Sequence, residues 1–228
     1  MKLGRLFTAL SLVVGLSSVA VIAAAEDTPV KVTLGPKSTL WLEGTSTMHD
    51  YESTAGEIRV TMVRDAAKAA PASVGDLEAL IRGSGIKRVD VEIPVQKMKS
   101  KKEGLDKNMY KSLKATENPV IRCQLTKYTV SPANGDTLDL RAEGTLEIAG
   151  SKRPVTLAAR AWRSASGLWI AGSQPLKMTE FGIKPPTMMM GTLKVSDKVT
   201  VHYRLLLVPK DGDTGSAITV DPQKGAVR

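Results

Sequence analysis

Cysteine is almost missing from this chain: Cys123 is the only one in 228 residues. A lone thiol closes no internal disulfide, so the fold rests on packing. Cys123 alternates with Ile121 and Leu125, which reads as burial of a small apolar side chain rather than a reactive group. Histidine is nearly as scarce. His49 and His202 lie far apart in sequence, and that spacing gives no support to a two-histidine metal site, so no metal is expected. No G-x-S-x-G nucleophile elbow occurs. Ser46, His49 and Asp50 do stand close together, but His49 and Asp50 are adjacent and point to opposite faces of an extended chain. They read as a polar, hydrogen-bonded strand end, and no catalytic residue is expected. Acidic residues are outnumbered, 23 against 32 lysines and arginines, for a net charge of +9. In a cytoplasmic protein this would raise nucleic acid as a partner. Long apolar runs are absent except at the N-terminus.

That N-terminus reads as an export signal. Lys2 and Arg5 precede an uncharged apolar run over residues 6–22, and Ala23, Ala24 and Ala25 offer a cleavage site. Residues 1–25 are therefore expected to be a cleaved signal peptide, the mature protein to be periplasmic, and nucleic acid to be excluded as a partner. A basic surface outside the cytoplasm suits anionic headgroups at a membrane surface, or serves solubility alone. The remaining chain is long enough for one sizeable core. Residues 26–208 are expected to form one domain and residues 209–228, rich in Gly, Asp and Pro without periodicity, a disordered tail.

Within the domain the dominant signal is period-two alternation. Leu40, Leu42 and Gly44 alternate with Trp41, Glu43 and Thr45; Ile58, Val60 and Met62 with Arg59 and Thr61; Val89, Val91, Ile93 and Val95 with Arg88, Asp90 and Glu92. The cleanest case is Leu138, Leu140, Ala142, Gly144, Leu146 and Ile148 against five polar residues. Further strands are expected over residues 120–130, 153–162 and 168–172. Residues 76–82 predict a short helix capped by Asp76, with Leu77, Leu80 and Ile81 buried. Leu105, Met109 and Leu113, each four apart, predict a second, stopped by Asn118-Pro119. The lysine-rich residues 96–103 read as a solvated loop. The fold class is thus all-β with one or two short helices: about eight strands in an antiparallel sandwich or barrel. Small residues on the inward rows (Gly44, Ala142, Gly144, Ala159 and Ala161) either leave room for a cavity or mark sharp strand bends.

Residues 176–208 hold the strongest functional hint. A short strand leads into a Phe181-Gly182 corner, a Pro185-Pro186 step and three methionines, Met188, Met189 and Met190, before a long strand. Its row of Val199, Val201, Tyr203 and Leu205 opposes Thr200, His202 and Arg204, so His202 is expected on the solvated surface. Flexible thioethers on a prolyl loop suit a rim that admits apolar material, or they cap a core. Side-chain type makes Trp41, Met109, Met178, Phe181, Met188, Met189 and Met190 the candidate walls or mouth of a lipid site.

Several segments together resemble the YceI-like family of polyisoprenoid-binding periplasmic proteins. They are LEGTSTMHD at residues 42–50, LDKNMYKSLKATENP at 105–119, GTLEIAG at 144–150 followed by RPVTL at 153–157, and FGI at 181–183 leading to VSDKV at 195–199. The resemblance spans roughly residues 31–208. It implies an eight-stranded antiparallel lipocalin-like barrel, with an internal tunnel for an isoprenoid, quinone-like or similar amphiphilic lipid. It implies a carrier or reservoir without catalysis, metal or cofactor other than the bound lipid, and a homodimer, as relatives form. The competing expectation is an envelope stress or scaffold protein with a solid barrel and no lipid ligand.

Overall fold

The alternating rows become strands in the order the sequence sets out. The computed structural model describes residues 28–133, 136–188, 193–210 and 217–219. Its elements are β1 (Thr28–Val30), β2 (Val32–Leu34), β3 (Thr39–Ser46), β4 (Tyr51–Ala55), β5 (Glu57–Arg64), α1 (Val74–Arg82), β6 (Ile86–Pro94), β7 (Met98–Ser100), α2 (Glu103–Ser112), β8 (Val120–Pro132), β9 (Thr137–Ile148), β10 (Ser151–Ser164), β11 (Gly167–Lys177), β12 (Thr187–Met188), β13 (Leu193–Pro209) and β14 (Ala217–Thr219). Single 3-10 turns occupy Val95–Lys97 and Met178–Phe181.

All strand pairs are antiparallel, and the main path runs β1-β5-β6-β8-β9-β10-β11-β13-β3-β4-β7. The sheet curls strongly. β4 pairs with β3 while β5, one residue on, pairs with β6. Gly56 makes that corner and donates its N–H to the Lys97 carbonyl at 2.8 Å. Similarly, β1 pairs β5 while β2 pairs β13, so seven N-terminal residues tie the two limbs of the sheet together. Eleven strands lie on the path where alternation predicts eight. The excess lies in pieces of three to five residues, too short for a period of two to show, and in the interruptions at Gly56 and at residues 95–97. β7 also falls in the lysine-rich stretch expected to be a loop. β14, paired to β5, falls in the tail expected to be disordered; the rest of that tail beyond Lys210 and the expected signal peptide lie outside the described residues.

The helices close the ends of the curl. α1 starts two residues earlier than expected because Ser73, not Asp76, is its cap: the Ser73 hydroxyl accepts from the Asp76 N–H at 3.1 Å and donates to the Asp76 carboxylate at 2.8 Å. Leu77, Leu80 and Ile81 are buried in the core with Val32, Leu34, Ile58 and Leu168. The neighbouring Glu78 is buried too. Arg163 on β10 donates Nε and Nη2 to its Oε2 at 2.9 and 2.7 Å, and Arg82 donates Nε to Oε1 at 2.7 Å. Burial alone would raise the Glu78 carboxyl; the two guanidiniums outweigh it and hold it below its ordinary value. A depressed folded pKa contributes stability above the unfolded value, about 4.3, and loses it as pH falls through the folded one. Both arginines are about half exposed, so the contribution is on the order of 1 kcal/mol. Urea melts of wild type and Glu78→Gln should therefore differ most near neutrality and converge in acid. An equal gap at pH 3 and pH 7 would refute the pairing.

Candidate functional site

The inward rows do not fill the space they enclose. A cavity of about 370 Å³ runs inside the curled sheet, within the size range of small-molecule sites. Leu40 and Leu42 from β3, Val60 and Met62 from β5, Val91 and Ile93 from β6, Leu140 and Leu146 from β9, and Ile170 and Val201 from β11 and β13 form its walls. Ala142 and Ala159 contribute small side chains. Among the described lining residues none is acidic; the charged ones are Lys87, Arg88, Lys127 and Lys177.

The expected site residues divide. Met109, Met178 and Phe181 line the cavity; Phe181 is 4% exposed. Trp41 does not line it. It shares the outward parity of Glu43, to whose Oε1 its Nε1 donates at 2.8 Å, and it stacks on His202 at 5.0 Å. The Glu43 carboxylate lies 3.3 Å from His202 Nε2, so His202 is outward as expected but half-buried beneath the indole. Met188 lies in β12; Met189 and Met190 lie outside the described residues. The Ser46, His49 and Asp50 cluster is a turn. The Ser46 hydroxyl donates to the His49 carbonyl at 2.7 Å and accepts the N–H of Met48 and of His49 at 3.3 Å, which is the polar strand end the spacing implied. Among the described residues no three metal-ligating side chains converge, and no helix is long and apolar enough to cross a membrane.

Alternation by itself hides other contributors. α2 presents Leu105, Met109 and Leu113 to the cavity because Asp106 anchors the helix. Its buried carboxylate accepts from the N–H and the hydroxyl of Ser100 at 2.7 Å each, with Lys99 Nζ at 3.6 Å. Tyr110, on the same helix, donates its hydroxyl to the Met98 carbonyl at 2.7 Å. Three tyrosines, Tyr51, Tyr128 and Tyr203, also line the cavity. Tyr128 donates to the Ile81 carbonyl at 3.0 Å and accepts from the Ile86 N–H at 3.2 Å. Tyr203 donates to the Ala158 carbonyl at 3.1 Å. Tyr51 packs on Gly44, its pairing partner, where an added Cβ would fall 2.3 Å from the ring. Burial raises all three phenols, Tyr203 to about 12.

Cys123 is another wall residue. Burial, with a smaller push from Asp90, raises its thiol to about 11. At pH 8 the thiolate fraction is then roughly two orders of magnitude below that of a free cysteine. Iodoacetamide should accordingly modify Cys123 about 100-fold more slowly in the native protein than in urea. A free-thiol rate in the native state would mean that the wall is open to water at β8.

Comparisons with known proteins fit this geometry. A family model described as a YceI-like domain matches residues 36–207. A polyisoprenoid-binding domain from Saccharophagus degradans, implicated in plant cell wall breakdown, superposes with a TM-score of 0.57 at 12% identity, covering 79% of this chain and 99% of its own. BcnA of Burkholderia cenocepacia gives 0.56 at 18% identity, covering 76% and 98%. The YceI protein of Campylobacter jejuni gives 0.50 at 18% identity, covering 70% and 85%. No curated protein matches the sequence significantly.

Proposed function

Because this chain belongs to the YceI-like family, we propose that it is an exported lipid-binding protein that holds an isoprenoid or similar amphiphile in the cavity, as a carrier or reservoir. One observation carries the reading: a cavity of about 370 Å³ whose walls are mainly apolar and, among the described residues, carry no carboxylate. Water cannot profitably fill such a space, since each water needs two to four polar partners. An apolar chain gains about 25 cal/mol for each Å² it removes from water. The name borne by the Saccharophagus neighbour supports isoprenoids as the first class to test. Taking β4 with β5 and β6 with β7 as single interrupted strands leaves nine on the path, of which β1 is three residues long; this is close to the eight-stranded size that holds one small ligand.

A membrane offers an isoprenoid tail an environment as apolar as these walls. The protein is therefore suited to exchanging lipid rather than extracting it irreversibly. Nothing in this role needs a catalytic group, a metal or a second cofactor. The export-signal pattern in the sequence of residues 1–25 supports a periplasmic site of action.

The test is native mass spectrometry with organic extraction of protein purified from the periplasm. The expected result is a bound apolar species with an isoprenoid fragmentation ladder. A ligand-free mass, together with failure to bind added quinone-like lipid, would overturn the proposal in favour of a scaffold role.

A further inference from the structure

The sheet parts where β10 meets β11. β10 pairs with β9 from Ser151 to Trp162, and β11 with β13 from Leu168 to Lys177. Between themselves β10 and β11 pair only from Ala159↔Gly172 to Ser164↔Gly167. Residues 151–158 and 173–177 therefore form two lips with no ladder between them.

The sequence builds this parting in. Tyr203 crosses from β13 at the last rung, and its hydroxyl occupies the Ala158 carbonyl. The crossing requires Gly172, where a Cβ would fall 2.5 Å from both the Ala158 oxygen and the Tyr203 hydroxyl. Each lip carries a proline, Pro154 and Pro175, which has no N–H for a ladder. The same prolines make the lips poor templates for an added peptide strand. What fits between them is a ligand that needs no backbone hydrogen bonds, and the cavity reaches them through Leu157, Gln174 and Leu176.

The turn Met178–Phe181 lies across the parting as a strap. On one side Thr179 donates its N–H and hydroxyl to the Asp197 carboxylate at 2.9 and 2.8 Å. On the other, Arg153 Nε donates to the Glu180 carbonyl at 2.6 Å. Gly182 ends the strap in the left-handed conformation, φ 69°, and Phe181 is buried against the cavity beneath it. We infer that the apolar chain enters and leaves between β10 and β11, under this strap, with Phe181 as the plug and Arg153 as the latch. The inference rests on the lipid-binding reading above.

The test is stopped-flow transfer of nitrobenzoxadiazole-labelled geranylgeraniol from the whole protein to phosphatidylcholine vesicles. A Thr179→Cys/Asp197→Cys disulfide pins the strap; a Ser131→Cys/Asp139→Cys disulfide pins β8 to β9 instead, at an exposed pair outside the cavity lining. The thiol of Cys123, raised to about 11, competes poorly for either bond. Pinning the strap should slow transfer tenfold or more, reversibly on reduction, while pinning β8 to β9 leaves the rate within twofold. Arg153→Gln, which needs no disulfide, should speed transfer about threefold to tenfold with equilibrium occupancy unchanged. A rate indifferent to the strap disulfide and to Arg153→Gln, or slowed by the β8–β9 disulfide alone, overturns the port and leaves the lipid site standing. A wild-type protein that takes up no probe overturns both.

Discussion

Ala142→Trp should weaken binding of a geranylgeraniol-type chain by more than 100-fold and leave the protein folded. Ala142 sits mid-strand on β9, between Leu140 and Leu146 on the inward row, and its side chain faces the cavity. An indole there grows into open space rather than into a packed neighbour. If it excludes about four methylenes of ligand, at about 0.8 kcal/mol each, the loss is about 3 kcal/mol, or roughly 200-fold. Filling a void adds contacts instead of removing them, so the melting temperature should hold or rise. Fluorescence titration with the labelled isoprenoid and a thermal melt decide the matter together. Unchanged affinity with an unchanged melt would show that ligand does not occupy the middle of the cavity.

The walls of this site were largely legible in the sequence, because a period of two states which residues share a face. Leu140, Ala142 and Leu146, or Val91 and Ile93, need only the alternation to be placed inside. Trp41 shows what happens when side-chain type is allowed to outweigh that rule. Its parity, opposite to Leu40 and Leu42, sends it outward to Glu43 and His202, where an indole covers a histidine rather than a lipid. Met109, a candidate by side-chain type, shares a face with Leu105 and Leu113 by the helical period, and all three line the cavity. The parting of β10 from β11 was not legible. It depends on Tyr203 passing under Gly172 to reach Ala158, three residues on three strands whose meeting is fixed only by the register of β13 on β11. The anchoring of α2 was hidden likewise, since Asp106 reads as one more polar residue on a helix until Ser100 is brought beneath it.

Two residues beyond Ala142 on the same inward row, Gly144→Ala should have the opposite outcome: loss of the fold's stability with little direct effect on the cavity. Small residues on an inward row suggest either a void or a close approach of backbone, and the sequence alone cannot choose between them. The structure separates the two. At Gly144 an added Cβ would lie 1.9 Å from the Gln124 carbonyl oxygen and 2.7 Å from Leu125 Cα. Both belong to β8, next to the irregularity between Leu125 and Lys127. The obstruction is main chain, so no rotamer change relieves it, and β8 and β9 must separate locally. Replacing a strand glycine by alanine where space allows stabilises by about 0.4–1 kcal/mol through the unfolded chain. Overpacking costs about 1–3 kcal/mol and more where backbone must move. The clash should dominate, with a net loss of roughly 3 kcal/mol and a fall in melting temperature on the order of 10 °C. The protein that remains folded should still bind the labelled isoprenoid, because Gly144 is not part of the cavity lining. A Gly144→Ala protein that melts at or above the wild-type temperature would show that β9 does not approach β8 this closely, and the small residues of the row would then all belong to the void.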